Sequence, residues 1–291
     1  MAMSLEAFTT EITDLMRERG YEVSVKEVIK NNDIRQTGII LMKGDEQVHP
    51  VLYLEGYHRR YRDGEDLEDL VEEMTSDYET ARFDLDMGFF QEFDQVKERI
   101  YMRLVNYEKN KGLMKTVPHF RWLDLAVIFY YAMECPEGER ASVTIRNTHL
   151  KMWEQTWDQI YQTAKENMER DIPGYLVPLN EIIEDLSGIG QPEDGHQLYV
   201  LTNREKIYGA TAVIYSGKLE ELAEKLQSDL LILPSSVHEL LFLKDDHKLQ
   251  YQAYRKIVEE INAAVVEPTE VLSDNIYRYD REKNLVKMIA A

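Results

Sequence analysis

The stretch Asp229-Leu-Leu-Ile-Leu-Pro234-Ser-Ser-Val-His-Glu239-Leu-Leu-Phe-Leu243 decides the fold class. It holds two apolar runs of strand length, 229–233 and 238–243, parted by a few turn-forming residues. So short a connection joins antiparallel neighbours, because a parallel pair needs a crossover of about a dozen residues or more. The same adjacency recurs at both ends of the chain. Near the N-terminus, Leu5, Phe8, Ile12, Leu15 and Met16 share one helical face, with Ser4 as N-cap and Gly20 as stop. Alternation from Tyr21 predicts a strand, Asn31-Asn32-Asp33 a turn, and Thr37–Met42 and Val48–Leu54 two further strands parted by Gly44-Asp45. At the other end, Asn275–Tyr279 pairs with Asn284–Met288 in a closing hairpin.

Between these ends, residues 118–134 read as a strand leading into a buried strand, with a helix as the alternative. Cys135-Pro136-Glu137-Gly138 reads as a turn, Ala141–Ile145 as a short strand and 157–170 as a helix. Then follow strand 197–202, apolar segment 210–215, helix 217–227 and helix 248–264. Strands in adjacent pairs, without regular βαβ alternation, predict an α+β fold. Its sheets are mainly antiparallel with flanking helices, in an α-β-β-β N-terminal region and a ββαββα-like C-terminal region. We place the division near residue 116, giving regions 1–116 and 117–291, with one continuous body as the alternative. Ser187–Gly195 is the best loop candidate in the second.

Charge is the other strong signal. The chain has 291 residues, 44% hydrophobic and 30% charged, with a net charge of −20 and a pI near 4.8. Residues 63–94 hold thirteen acids against Arg82 alone. Seven of them are Asp63, Glu65, Asp66, Glu68, Asp69, Glu72 and Glu73. Asp63 is a candidate N-cap for a helix whose buried face is Leu67, Leu70, Val71, Met74 and Tyr78. Residues 96–107 read as a second helix with Val96, Ile100, Leu104 and Val105 inward. Lys97, Arg99, Arg103, Lys109, Lys111, Lys115 and Arg121 lie on or beyond it. These bases either neutralise the acidic helix internally or leave its acids to a partner. Such a field repels nucleic acid and acidic membranes and favours basic partners.

Other patterns exclude more than they assign. Ser187-Gly188-Ile189-Gly190 lacks both the Gly-Lys-Ser/Thr ending of a phosphate loop and a third glycine at dinucleotide spacing. His49, His58, His119, His149, His196, His238 and His247 show no zinc spacing, and Phe242 stands where a zinc-protease helix needs its second His. Asp63–Glu73 does not fit a calcium loop, and Asp84-Leu-Asp86 offers only two carboxylates for magnesium. Neither a metal nor another cofactor is expected. One cysteine, Cys135, fits a reducing compartment. No apolar run approaches membrane-span length, and the N-terminus lacks a signal core, so a cytoplasmic protein is expected.

Pro234-Ser-Ser-Val-His-Glu239 could present a nucleophile, Ser235 or Ser236, to a base, His238. It could equally supply turn hydrogen bonds only. Asn203 and Asp274 are similar polar strand ends that would complete a pocket if the fold gathers them.

Several of these segments together resemble a family of uncharacterised proteins from anaerobic gut bacteria, a domain of unknown function. They are Asn31-Asn32-Asp33 with Thr37-Gly38, Tyr53-Leu54-Glu55 with Tyr61 and Gly64, and Leu201-Thr202-Asn203 with Gly209-Ala210. Leu233–Glu239 and Leu272-Ser273-Asp274-Asn275 complete the set. Trp153–Asn167, with Ala164, also resembles a broader bacterial family of unknown function through the C-terminal half. Neither resemblance implies an activity or a cofactor.

The leading expectation is a non-catalytic interaction module whose acidic helical face engages a basic protein, without direct nucleic-acid or membrane binding. One alternative is a hydrolase built on Ser235, Ser236 and His238 with Asn203 and Asp274. The other is a nucleic-acid mimic of the anti-restriction type.

Overall fold

Among the described residues, three antiparallel sheets carry the architecture, each flanked by helices. The computed structural model describes residues 3–43, 49–81, 87–134, 140–184 and 197–289. The turns read at Gly44-Asp45 and Cys135–Gly138, the Asp84-Leu-Asp86 pair and the loop Ser187–Gly195 lie outside the described residues. By contacts the chain forms two units, Met1–Phe90 with Met133–Ala141, and Gln91–Ala132 with Ser142–Ala291. No helix among the described residues is long and apolar enough to cross a membrane.

The first unit opens with α1 (Leu5–Glu18), whose N-terminus is capped as the sequence predicts: Ser4 Oγ accepts from the Ala7 amide. Then come β1 (Glu22–Ile29), β2 (Arg35–Met42), β3 (Val51–Tyr53), α2 (Leu54–Arg62) and α3 (Leu67–Ala81). The strands form one sheet in the order β1-β2-β3, with Glu22 opposite Met42 and Gly38 opposite Tyr53. Gly38 is small for a reason: a Cβ there would run into the Val51 side chain on β3. Phe8, Ile12 and Met16 of α1, Ile39 and Leu41 of β2, and Leu70, Val71, Met74 and Tyr78 of α3 are fully buried together. Each such side chain contributes roughly 1.5–3 kcal/mol on burial.

Two local readings of this region need correction. Only Val51–Tyr53 of the predicted strand 48–54 is extended, and the helix α2 starts at Leu54. Asp63 does not begin the acidic helix; it ends α2, donating its amide to the Arg59 and Arg60 carbonyls. The acceptor at the start of α3 is Asp66, whose Oδ1 takes the Glu68 amide.

The second unit begins with α4 (Phe93–Val96) and β4 (Ile100–Asn106). The helix predicted over 96–107 is therefore a short turn of helix followed by a strand. Val96, Ile100 and Leu104 do have helical spacing, but Ile100, Met102 and Leu104 also alternate, and these three are buried against a sheet. β4 pairs with β6 from Ile100 opposite Tyr131 to Asn106 opposite Leu125. Pairing with a buried strand outweighs the local helical pattern.

After β4 come α5 (Lys111–Met114), β5 (His119–Trp122), β6 (Leu125–Glu134) and β7 (Arg140–Thr144). β4, β6 and β5 lie in that order, and β7 also pairs with β6. Position 116 falls between α5 and β5. Two helices follow, α6 (Asn147–Met152) and α7 (Trp157–Asp171). Thr156 and Gln159 form a reciprocal capping box at the start of α7.

The largest sheet is built from β8 (Gly174–Pro178), β9 (Tyr199–Asn203), β10 (Asp229–Pro234), β11 (Leu240–Asp245), β12 (Tyr277–Asp280) and β13 (Leu285–Met288). Its order is β13-β12-β10-β11-β9-β8, antiparallel throughout. The helices α8 (Leu179–Glu184), α9 (Ala212–Tyr215), α10 (Lys218–Leu226) and α11 (Tyr251–Ala264) complete the unit. The β10–β11 hairpin and the closing β12–β13 hairpin stand where the sequence predicts them, and the α+β class holds.

Candidate interaction face and candidate polar site

The acidic face is a consequence of how α3 packs. With Leu70, Val71, Met74 and Tyr78 fully buried, the opposite face of the helix carries Glu68, Asp69, Glu72, Ser76 and Glu79, all exposed. The acids fall into two groups. Arg60 on α2 donates two hydrogen bonds to Glu65 and two to Glu73, at 2.5–2.7 Å. Those bonds from Arg60 hold both carboxyls below the ordinary range of a glutamate. Arg19 at the end of α1 donates to Glu68 at 2.8 Å. Farther along, Tyr57 donates to Asp77 and Tyr21 to Glu79.

Asp63, Asp69 and Glu72 remain exposed, with no ion-pair partner among the described residues. Four of the bases downstream pair within their own unit: Lys97 with Asp94, Lys109 with Asp274, and Lys111 and Arg121 with Glu108. The neutralisation observed among the seven acids comes instead from Arg60 and Arg19.

The candidate polar site lies at the β10–β11 connection. Ser236 is buried, and its hydroxyl accepts from the His238 amide at 3.0 Å and donates to Glu239 Oε1 at 3.2 Å. Ser235 also donates to Glu239 Oε1, at 3.3 Å. Both hydroxyls thus serve the turn, and neither bonds to the His238 ring. Ser235 also borders an apolar cavity of about 200 Å³ beneath α11, lined by Leu233, Leu241, Leu243, Ile257 and Ile261.

His238 faces the β9–α9 loop. Its Nδ1 accepts from the Tyr208 amide at 3.3 Å, its carbonyl accepts from Thr202 Oγ1, and its Nε2 lies 3.3 Å from Glu270 Oε1. An accepting Nδ1 puts the proton on Nε2, directed at Glu270. The imidazole lies nearly parallel to the Tyr208 ring, with centroids 5.9 Å apart. Gly209 makes this approach possible, since a Cβ there would overlap Thr202 Oγ1, the His238 carbonyl and the Asn203 amide. Asn203 joins the same loop: it is fully buried and donates Nδ2 to the Ile207 carbonyl.

Asp274 belongs to another network. It accepts from Asn262 Nδ2 and Lys109 Nζ. Burial pushes its carboxyl up, but these two donors outweigh burial and hold it below the ordinary aspartate range. Beside it, Asp124 accepts from Ser273, Asn275 and Tyr277. The Leu272–Asn275 motif is thus a buried polar junction between the β5–β6 turn and the start of β12. Asn203 and His238 both bond the Ile207–Tyr208 segment, whereas Asp274 shares no hydrogen bond with either or with the serines. No group of three His, Cys, Asp or Glu side chains among the described residues is placed to hold a metal ion.

One feature of this unit carries no signal in any motif. Arg103 on β4 donates Nη1 to Tyr208 Oη at 2.8 Å and Nη2 to Thr144 Oγ1 at 3.1 Å. Its guanidinium lies 4.9 Å from the Tyr208 ring centroid and 5.7 Å from that of Tyr130. Alternation along β4 could have placed Arg103 with Tyr101 on one face, but the helical reading of 96–107 hid it.

No curated protein and no solved structure matches the chain. A family model does match, over residues 4–281, in keeping with the resemblance to a domain of unknown function carried by the motifs from Asn31 to Asn275. The chain belongs to the Family of unknown function (DUF5688).

Proposed function

We propose that this protein is a non-catalytic interaction module that engages a basic protein surface, in the cytoplasm, through the exposed face of α3. The observation that carries the reading is the split among the acids. Arg60 and Arg19 hold Glu65, Glu73 and Glu68, whereas Asp69 and Glu72 stand exposed on the side of the helix opposite its buried stripe. Carboxylates of the second kind steer a cationic surface during encounter and lose that influence as salt screens them.

The test is salt-dependent retention of a partner from native lysate, followed by reconstitution with the purified partner. Binding is expected to weaken steeply between low and high salt and to drop several-fold in a D69N/E72Q variant. Retention indifferent to both would remove the reading.

The nucleic-acid-mimic alternative shares the charge but not the extent. α3 has 15 residues and is therefore roughly 22 Å long, a short row against a duplex. Competition with DNA for a nuclease would favour it. The hydrolase alternative is weakened by the hydrogen bonds of Ser235 and Ser236, which run to Glu239 and leave His238 to Tyr208 and Glu270.

A further inference from the structure

Arg103 is a half-buried cation on β4. The chain has 54 acids and 34 bases, yet Arg103 has no carboxylate partner among the described residues. Arg62, Arg146 and Arg204 are likewise without one among the described residues, but all three are exposed. Arg103 is half-buried between aromatic rings, and its Nε is buried with no hydrogen-bond acceptor. Its two terminal nitrogens are turned to hydroxyls instead, those of Tyr208 and Thr144.

Both hydroxyls are acceptors in this arrangement. Each accepts from Arg103, so each must direct its own proton elsewhere. Neither has an acceptor for that proton among the described residues, and both side chains are half-buried. The two terminal nitrogens of Arg103 thus gather the Tyr208 and Thr144 hydroxyls at one guanidinium.

The support of this group is costly in conformation. Tyr208 has φ 52°, a left-handed backbone that a non-glycine residue adopts at an energetic cost. It is held there by the His238 Nδ1 bond and the stacked imidazole, and Gly209 lets the loop close. Carboxylates nearby are already engaged: Asp171 with Arg170 and Tyr101, and Glu270 with His238.

We propose that Arg103, Tyr208 and Thr144 form a binding site for the phosphoryl group of a small phosphorylated molecule, with His238 as a positioning residue for Tyr208. Guanidinium and hydroxyl donors spread over an arc suit the several oxygens of a tetrahedral anion better than the two of a carboxylate.

The experiment titrates the full chain with inorganic phosphate, and separately with acetate at matched ionic strength, by calorimetry and thermal shift. Saturable binding of phosphate, tighter than that of acetate, is expected. R103Q should weaken it at least tenfold, as loss of a charge-assisted bond implies, and Y208F about three- to tenfold, as loss of one neutral bond implies. R103K keeps the charge and guards against misfolding; it should bind between wild type and R103Q. H238Q should weaken phosphate less than R103Q does, and D69N/E72Q should leave it unchanged. Absence of saturation by about 10 mM phosphate, binding unaltered in a folded R103Q, or acetate binding as tightly as phosphate would each overturn the proposal.

Discussion

Asp229 and Asp245 stand directly opposite one another on β10 and β11, and Arg278 on the neighbouring β12 reaches both. Like charges facing across a ladder repel, so the pair is tenable only with a shared cation. The Asp245 side chain is 0% exposed, and it also accepts from Tyr251 at 2.7 Å. Removing Arg278 would leave a buried charge uncompensated. R278Q is expected to lose about 2–3 kcal/mol of stability, read as a lower urea midpoint. An unchanged midpoint would mean that the carboxylates find another partner.

The same end of the sheet predicts acid sensitivity. Burial raises Asp229, but the Arg281 amide and the Arg278 side chain outweigh it and hold the carboxyl below the ordinary aspartate range. A carboxyl depressed in the folded state stabilises it at pH values above the unfolded pKa, about 3.9, and that contribution fades as pH falls through the folded value. Asp274 adds to the trend in the same direction. The urea midpoint should therefore drop below about pH 4, and D274N should flatten the drop.

Arg60 predicts a shift visible by NMR. In R60Q the carboxyls of Glu65 and Glu73 should titrate higher than in the wild type, back towards the ordinary range of a glutamate. Identical titration curves would show that the fork of hydrogen bonds does not persist in solution.

Gly209 and Gly56 make a matched pair. A Cβ at Gly209 would overlap three neighbours, and one at Gly56 in α2 meets nothing within 4 Å. G209A should destabilise by about 1–3 kcal/mol or prevent folding. G56A should stabilise by about 0.5–1 kcal/mol, since alanine is the better helix former. Thermal melts of the two variants should move in opposite directions.

Ser236 distinguishes turn chemistry from catalysis. S236A removes the acceptor of the His238 amide and should cost about 1–3 kcal/mol, because a buried donor is left unsatisfied. A serine-reactive probe should not label the wild-type chain. Labelling abolished by S235A or S236A would restore the hydrolase alternative.

Much of the framework was legible because local pattern and long-range contact agree. Leu230 to Phe242 carries strand-length runs around a turn, and Leu70, Val71, Met74 and Tyr78 carry helical spacing; both signals survive folding. Where they conflict, the tertiary partner wins: Ile100 and Leu104 fit either period, and only Tyr131 and Val127 across the ladder select the strand. The fate of individual charges was not legible. Glu73 and Glu72 are adjacent in sequence, yet one meets Arg60 and the other meets solvent. Arg103 and Tyr208 lie 105 residues apart, and their hydrogen bond leaves no trace in spacing.

The rims of the six-stranded sheet have a consequence for behaviour at high concentration. On one side β8 closes on Pro178, which has no amide hydrogen to offer an incoming chain. On the other, β13 is only four residues long and carries Lys287. Neither rim is a long, flat template, so ribbon-like growth from one molecule to the next lacks a starting edge. The exposed Leu285 and Met288 on β13 are tolerable on those terms, and a lysine-free, lengthened β13 would be the variant most prone to form fibrils.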